Sequence, residues 1–91
     1  MANTLSDTEI QRGLPSEWEQ AGTEIHRTYE FDGYLDGVAF VNAVAEVAEE
    51  QQHHPTIEIG YGSVTVTFTT HEADGITNRD LRLAALCEEE Y

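Results

Sequence analysis

Hydrophobic and polar residues alternate in two adjacent stretches near the middle of the chain. The alternation runs over residues 57–61 and again over residues 64–68, and a period of two is typical of strands with one buried face. Only Gly62–Ser63 separates the two stretches, which predicts a hairpin with a two-residue loop. In the register that this loop predicts, Tyr61 pairs with Val64 and apolar residues oppose apolar residues along both strands.

Two longer stretches instead repeat hydrophobic residues at three- and four-residue steps, the pattern of an amphipathic helix. The first helix is predicted to begin with Asp36 as its N-cap and to end near Gln52, because Pro55 disfavours helical backbone before it. Its predicted buried stripe is Val38, Val41, Val44, Ala45 and Ala48. The second helix is predicted to begin after Thr77, with Asp80 completing a capping box. Its predicted stripe is Leu81, Ala84 and Ala85.

The amino-terminal third of the chain predicts a short helix and two further strands. The helix is expected over Leu5–Gly13, with Ser6 and Glu9 forming a capping box. Trp18 is expected to open a short strand, and alternation predicts a longer one over Ile25–Phe31. A length of 91 residues predicts one domain spanning residues 1–91. Because so short a chain buries a modest core, an oligomer is expected.

The charge balance excludes several kinds of partner. Asp and Glu number 18 against four Lys and Arg, which gives a formal net charge of -14. Such a field repels nucleic-acid phosphates and anionic membranes, so neither is an expected partner. The dense acidic surface also predicts a protein adapted to high salt, where like charges are screened over a few ångströms.

The remaining compositional features predict a cytoplasmic protein. The single cysteine, Cys87, has no partner for an internal disulfide. The segment 1–4 has neither the basic nor the apolar region of a leader peptide. No apolar run approaches the roughly 18 residues that a transmembrane helix needs.

Histidines are the candidate chemical groups. Extending the predicted hairpin register outward sets His54 opposite His71, with His53 alongside, so that three of the four histidines converge at one end of the sheet. Glu49 lies one helical turn before His53 and is expected to point to the same place. Histidine titrates near pH 6.5, so such a cluster is suited to remove one proton and to deliver another.

A zinc site is the alternative interpretation of these residues. The three histidines together with Glu49 or Glu72 supply suitable ligand types. Adjacent histidines such as His53 and His54 rarely both reach one ion, so no metal is expected.

Three runs of residues resemble the signature of the pterin-4a-carbinolamine dehydratase family. They are Glu49–Pro55, Thr69–Glu72 and Gly75–Asp80. The spacing of His-His-Pro to Thr-His matches, and Trp18 and Phe40 upstream also fit the pattern. The resemblance covers nearly the whole chain.

This resemblance implies a fold, an assembly and a reaction. The implied fold is α+β, a single small domain with a four-stranded antiparallel sheet and helices packed on one face. The implied assembly is a homodimer or homotetramer. The implied reaction converts a 4a-hydroxytetrahydropterin to quinonoid dihydropterin and water, as in tetrahydrobiopterin recycling, without a metal or an organic cofactor.

The resemblance also implies roles for individual residues. His53 is the expected base, and His54 and His71 are the expected acids. The residues implied to line the pterin site are Gln52, Thr69, Thr70 and Glu72, with Glu49 in support. Two positions depart from the usual pattern: Ile57 stands where many relatives have an aromatic residue, and Gln52 where many have an acid. Both departures concern how the pterin ring is held.

Two other functions fit the same resemblance. Some family members act as dimerisation partners of a transcription factor, so the scaffold could serve as a non-catalytic oligomeric adaptor. Action on another pterin, such as one linked to the molybdenum cofactor, is the second. Intact histidines favour catalysis over the adaptor function.

Overall fold

The computed structural model describes residues 3–91. Met1 and Ala2 lie outside the described residues. The predicted domain over residues 1–91 and the segment 1–4, which is expected to have no leader, both begin with these two residues. The elements in chain order are helix α1 (Asp7–Gly13), strands β1 (Glu19–Ala21) and β2 (Glu24–Glu30), helix α2 (Tyr34–Gln51), strands β3 (Thr56–Ile59) and β4 (Ser63–Phe68), a 3-10 turn (His71–Ala73) and helix α3 (Asn78–Glu90).

The four strands form one antiparallel sheet in the order β1-β2-β4-β3. Alternate residues of the two central strands face the helices and are completely buried, among them Ile25, Tyr29 and Phe68. Val44 of α2 and Leu83 of α3 belong to the same core cluster. The α+β fold with a four-stranded antiparallel sheet is therefore confirmed. Within residues 3–91, no helix combines the length and the apolar character that crossing a bilayer requires.

The predicted hairpin register is wrong by two residues. Ile59, not Tyr61, pairs with Val64, and the N–H of Gly60 donates to the carbonyl of Ser63 at 2.8 Å. The loop is therefore Tyr61–Gly62. The register differs because β4 also pairs with β2 on its other side, where Ser63 pairs with Glu30. A shift of two leaves each side chain on its predicted face.

The two long helices bury slightly different faces from those predicted. Helix α2 begins earlier than expected, with Gly33 as its N-cap, so Asp36 lies in the first turn instead. Ala45 of α2 and Ala85 of α3 are exposed. The centres of the buried stripes are Phe40, Val44 and Ala48 in α2, and Leu83, Ala84 and Cys87 in α3. Ala45 and Ala85 therefore lie outside the buried stripes and face outward.

Both predicted capping boxes are present. The Ser6 side chain accepts from the Glu9 N–H, and Glu9 accepts from the Ser6 N–H in return. Thr77 and Asp80 begin α3 in the same way. These motifs depend on residues three positions apart, so local sequence is enough to predict them.

Of the three glutamates at the end of α3, Glu89 and Glu90 are exposed, but Glu88 is held on the sheet side. Glu88 accepts hydrogen bonds from Trp18 Nε1 at 2.9 Å and from the Tyr29 hydroxyl. Arg27 Nη1 lies 2.6 Å from the same carboxylate, and its guanidinium carbon lies 4.3 Å from the centre of the Tyr29 ring. Arg27, which interrupts the apolar face of β2, is therefore the partner of a carboxylate that α3 brings onto the sheet.

This network changes the titration of its members. Burial pushes the pKa of Glu88 upward, but hydrogen bonds from Tyr29, Trp18 and Arg27 together outweigh burial and lower it. Burial, together with the Glu88 carboxylate, raises the pKa of Tyr29. Burial likewise raises the pKa of the Cys87 thiol to about 12, so this cysteine is an apolar filler of the core.

Candidate active site

A polar cleft of about 170 Å³ lies where α2 ends and the 3-10 turn follows β4. Its lining residues come from four segments: Gln52, His53, His54, Thr69, His71, Glu72 and Arg79. Three of the four histidines of the chain therefore meet at this cleft. The fourth, His26, lies on β2, where its Nε2 is 3.6 Å from Glu19.

The direction of the chain into the cleft is set at Gln52. This residue is the C-cap of α2 and has left-handed backbone (φ 53°, ψ 43°), while its N–H and that of His53 bond to carbonyls of the last turn, including that of Ala48. The left-handed turn directs the next two residues away from the helix axis. His53 consequently turns inward and is 7% exposed, whereas the His54 side chain is 57% exposed.

His53 is held on two sides. Its ring lies nearly parallel to that of Phe68, with an angle of 11° and a centroid distance of 5.9 Å. Its Nε2 lies 2.6 Å from Oδ1 of Asp80, a carboxylate that is fully buried. The ring therefore has one nitrogen committed to Asp80, and the tautomer is set by that contact.

Asp80 makes a contact with a cleft histidine that the sequence interpretation did not predict. It was expected to cap α3, and its Oδ2 does accept from the Thr77 N–H at 2.9 Å. The same carboxylate also reaches His53, 27 positions earlier in the chain. A carboxyl group three residues after a threonine is explained fully by capping, so nothing local indicated this second contact.

Thr70 was implied to line the cleft, but it lies behind the cleft wall. It is fully buried, its hydroxyl donates to Oδ2 of Asp80 at 2.7 Å, and it lies 2.9 Å from the Thr77 hydroxyl. Thr69 does line the cleft and donates to the carbonyl of Thr23 at 2.6 Å. Thr70 thus orients the carboxylate that holds His53.

Glu49 reaches the cleft region through His54. Its Oε2 is hydrogen-bonded to Nε2 of His54, and both side chains are largely exposed. Glu49 therefore lies beside one of the histidines, and its partner is His54 and not His53. Two neighbouring imidazoles therefore have different carboxylate partners, one buried and one in solvent.

His71 arrives from the other side of the cleft, but not by the predicted cross-strand pairing. In the observed register, continuing the hairpin outward sets Thr69, not His71, opposite His54. His71 instead begins the 3-10 turn, which is closed by the pairing of Thr70 with Gly75. The three imidazoles meet because a turn returns the chain after β4, so the predicted neighbourhood is correct and its predicted cause is wrong.

The zinc interpretation has no support in the described part of the chain. Among residues 3–91, no group of three or more His, Cys, Asp and Glu side chains is arranged to hold a metal ion. The carboxylate beside His53 is buried Asp80, whereas the carboxylate beside His54 is exposed Glu49.

Comparison with known proteins connects this site to a family. The model of the family described as pterin 4 alpha carbinolamine dehydratase matches residues 3–90. The chain belongs to this family. Relatives named as pterin-4-alpha-carbinolamine dehydratases resemble it over most of their length, and the resemblance to this family is confirmed.

Two archaeal relatives and a cyanobacterial one illustrate the similarity. Each carries the name "Putative pterin-4-alpha-carbinolamine dehydratase". The Natronomonas pharaonis protein is 48% identical and covers 98% of this chain and 97% of its own. The Haloarcula marismortui protein is 51% identical (92% and 91%), and that of Picosynechococcus is 45% identical (92% and 94%). The haloarchaeal relatives support the prediction of adaptation to high salt.

Solved structures of pterin dehydratase relatives share the fold. A structure described as a transcriptional coactivator/pterin dehydratase from Brucella melitensis has a TM-score of 0.91 at 27% identity and covers 97% of this chain and 98% of its own. A pterin dehydratase-like protein described as a RuBisCO assembly factor in the alpha-carboxysome has a TM-score of 0.67 at 22% identity (80% and 84%). The latter likeness concerns the fold alone.

Proposed function

We propose that this protein dehydrates a 4a-hydroxytetrahydropterin, as in the recycling of tetrahydrobiopterin, by acid–base catalysis with histidines. In this reaction the C4a–O bond breaks, N5 loses its proton, and a C4a–N5 double bond forms. The hydroxyl group takes up one proton and leaves as water, and the product is the quinonoid dihydropterin. The reaction needs one base and one acid, and it changes no oxidation state.

The observation that supports this proposal is the meeting of three imidazoles at one cleft with unlike surroundings. His53 is buried against the Asp80 carboxylate, and His54 is exposed beside Glu49. His71 stands across the cleft without a carboxylate within hydrogen-bonding distance among the described contacts. Neighbouring groups of one chemical type in different environments are suited to opposite roles in proton transfer.

His53 is proposed as the base that removes the N5 proton. When Asp80 accepts a hydrogen bond from Nε2, the other ring nitrogen, Nδ1, carries the lone pair that can take up a proton. The imidazolium that forms is then compensated by a carboxylate at 2.6 Å. This is the relation of histidine to aspartate in hydrolases that use a histidine base.

His54 and His71 are proposed as the acids that protonate the departing hydroxyl. Both are exposed, so each can regain a proton from solvent after turnover. Glu49 accepts a hydrogen bond from Nε2 of His54 and holds that ring at the cleft edge. Gln52, Thr69 and Glu72 line the same cleft and are proposed to bind the polar edge of the pterin, while Thr70 acts through Asp80.

The proposal is tested by a stopped-flow assay of carbinolamine loss with wild type and with His53→Ala, His54→Ala and His71→Ala. We expect each variant to lose about 10²- to 10⁴-fold in kcat/KM, the usual contribution of a proton-transfer group. His26→Ala is the matched control, because it removes an imidazole that lies outside the cleft. Its rate should equal that of wild type.

Two results would contradict the dehydratase proposal. The first is a wild type that is folded but gives only the uncatalysed rate, which would favour the non-catalytic adaptor function. The second is an unchanged rate in all three cleft variants. Comparing carbinolamines of different pterins in the same assay would separate tetrahydrobiopterin recycling from action on another pterin, such as a molybdenum-cofactor-linked one.

We also propose that the chain assembles into a homodimer or homotetramer. Four large apolar side chains remain exposed at α2 and the hairpin: Tyr34, Leu35, Ile59 and Tyr61. Covering such groups in an oligomer adds to the small core that 91 residues can bury. Light scattering during size-exclusion chromatography gives the mass, and a 10.2 kDa particle would contradict this proposal.

A further inference from the structure

Cationic side chains are rare in this chain, and two of them lie at one junction. All four are arginines. Arg79 and Arg82, from the first turns of α3, both make hydrogen bonds to the end of α2. Only Arg79 of these two also lines the histidine cleft. The proposed function assigns roles to the histidines and carboxylates but no role to the guanidinium of Arg79.

Arg79 connects the two segments that bring histidines to the cleft. Its Nη2 donates to the backbone carbonyl of Gln52 at 2.9 Å, and that peptide leads directly into His53. Its Nη1 lies 3.6 Å from Oε2 of Glu72, the residue after His71. One planar guanidinium therefore spans from the His53–His54 segment to the His71 segment.

A contact at the Gln52 carbonyl affects the positions of the two histidines that follow it. Gln52 has a left-handed backbone, which side-chain-bearing residues adopt reluctantly, and this turn determines where His53 and His54 point. The next residue of α3, Asp80, holds the ring of His53 at 2.6 Å. Adjacent residues of one helical turn thus hold the peptide that enters His53 and the far side of its imidazole.

We propose that Arg79 is a positioning residue that sets the separation between the His53–His54 segment and the His71 segment. The proposal rests on the proposed dehydratase function. Arginine is suited to this role because its fixed fork can donate to a carbonyl and a carboxylate at the same time, whereas the single ammonium of lysine cannot hold both in one geometry. Misplacing a reacting group by about 1 Å can cost about 10²-fold in rate.

Steady-state kinetics of Arg79→Gln, Arg79→Lys and the control Arg82→Gln test the proposal. We expect Arg79→Gln to lower kcat by about 10- to 10²-fold and to leave KM within about twofold of wild type, since spacing and not binding is lost. Arg79→Lys should recover part of kcat. Arg82→Gln removes the same charge from the same helix, but its contact is the Gln51 side chain, and it should behave as wild type.

Two kinetic outcomes would overturn the proposal. A raised KM with unchanged kcat in Arg79→Gln would mean that Arg79 binds substrate. Equal losses in Arg79→Gln and Arg82→Gln would mean that only the charge of this helix end matters. If Arg79→Gln does not fold, Arg79→Lys, which keeps the charge, is measured in its place. A kcat equal to that of wild type in Arg79→Lys would then overturn the proposal.

A second measurement does not depend on turnover. In spectra of protein labelled with ¹⁵N at histidine, Arg79→Gln should shift the imidazole signals of both His53 and His71, while Arg82→Gln should not. His26 serves as the internal reference. Unmoved signals would overturn the positioning role even in an active enzyme. Shifted signals in a protein that gives only the uncatalysed rate would keep the positioning role and contradict the dehydratase function.

Discussion

At the scale of single residues, Asp80 joins the start of a helix to the chemistry of the cleft. Its Oδ2 accepts from Thr77 and Thr70, and its Oδ1 contacts His53. All of these partners are buried, so the carboxylate is held in one orientation by hydrogen bonds that cannot be exchanged for water. Helix capping and histidine orientation therefore depend on one side chain.

Asp80→Asn is predicted to reduce both activity and stability. The amide can still accept from Thr77 or Thr70, but it can donate to His53 and reverse the tautomer, so we expect kcat/KM to fall about 10²-fold or more. The free energy of unfolding should fall by about 1–3 kcal/mol. Stopped-flow assays and urea denaturation measure the two effects.

Ser6→Ala is the control for the capping part of that prediction. It disrupts the equivalent capping box at the start of α1, which contains no histidine contact. We expect it to cost about 1 kcal/mol of stability and no activity. An Asp80→Asn enzyme as active as Ser6→Ala would show that the Asp80–His53 contact has no catalytic role.

At the scale of elements, α3 is attached to the rest of the fold at both ends. Its first turn holds the segment after α2 through Arg79 and Asp80. Its last turn is held to the sheet by Glu88, whose partners on the sheet side lie 59 to 70 positions away in the chain. Because one helix spans both contacts, the cleft wall is braced by an anchor at the opposite end of α3.

This anchor predicts a specific dependence of stability on pH. Since the folded pKa of Glu88 is lowered from 4.5, its contribution to stability is complete above pH 4.5 and is lost as pH falls through the folded pKa. At pH 7, Glu88→Gln should therefore be less stable than wild type by about 1–3 kcal/mol. The difference should shrink as pH falls below 4.5, because protonated Glu88 and glutamine are both neutral.

Urea denaturation at a series of pH values measures that difference. Glu89→Gln is the matched control, since Glu89 is the next residue and is exposed. It should follow wild type at every pH. A constant gap between wild type and Glu88→Gln down to pH 3 would contradict the charged network.

At the scale of the whole molecule, the dominant property is a net charge of -14 on 91 residues. Few of these charges are neutralised by arginine: among the described ion pairs, Arg27 pairs with Glu88 and Arg79 with Glu72. Self-repulsion of this size destabilises the compact state unless salt screens it. The similarity to haloarchaeal relatives agrees with this charge.

The protein is predicted to gain stability from KCl. The screening length falls from about 10 Å at 0.1 M to about 3 Å at 1 M, so Tm should rise over this range as carboxylate repulsion is removed. Thermal unfolding monitored by circular dichroism measures the change. Sucrose, which adds no ions, is the control and should recover only part of the rise. Full stability in dilute buffer would contradict the prediction.

Much of the fold was predictable because its causes are local. The capping boxes at Ser6 and Thr77 and the alternation of β3 and β4 depend on residues within a few positions of one another. The end of α2 before Pro55 is of the same kind. The histidine cleft was partly predictable for the same reason, since His53 and His54 follow a helix end and His71 follows a strand end.

By itself, then, the sequence determined the elements, the faces of the strands and the three imidazoles at one sheet end. Only the tertiary structure decided the hairpin register, because Ser63 pairs with Glu30 of β2 and also accepts from the Gly60 N–H in the loop. It alone decided that Asp80 reaches His53 and that Glu88 is anchored on the sheet. These contacts join residues far apart in the chain. Burying a polar group beside its partner is favourable, but it produces no repeating pattern of residues in the sequence.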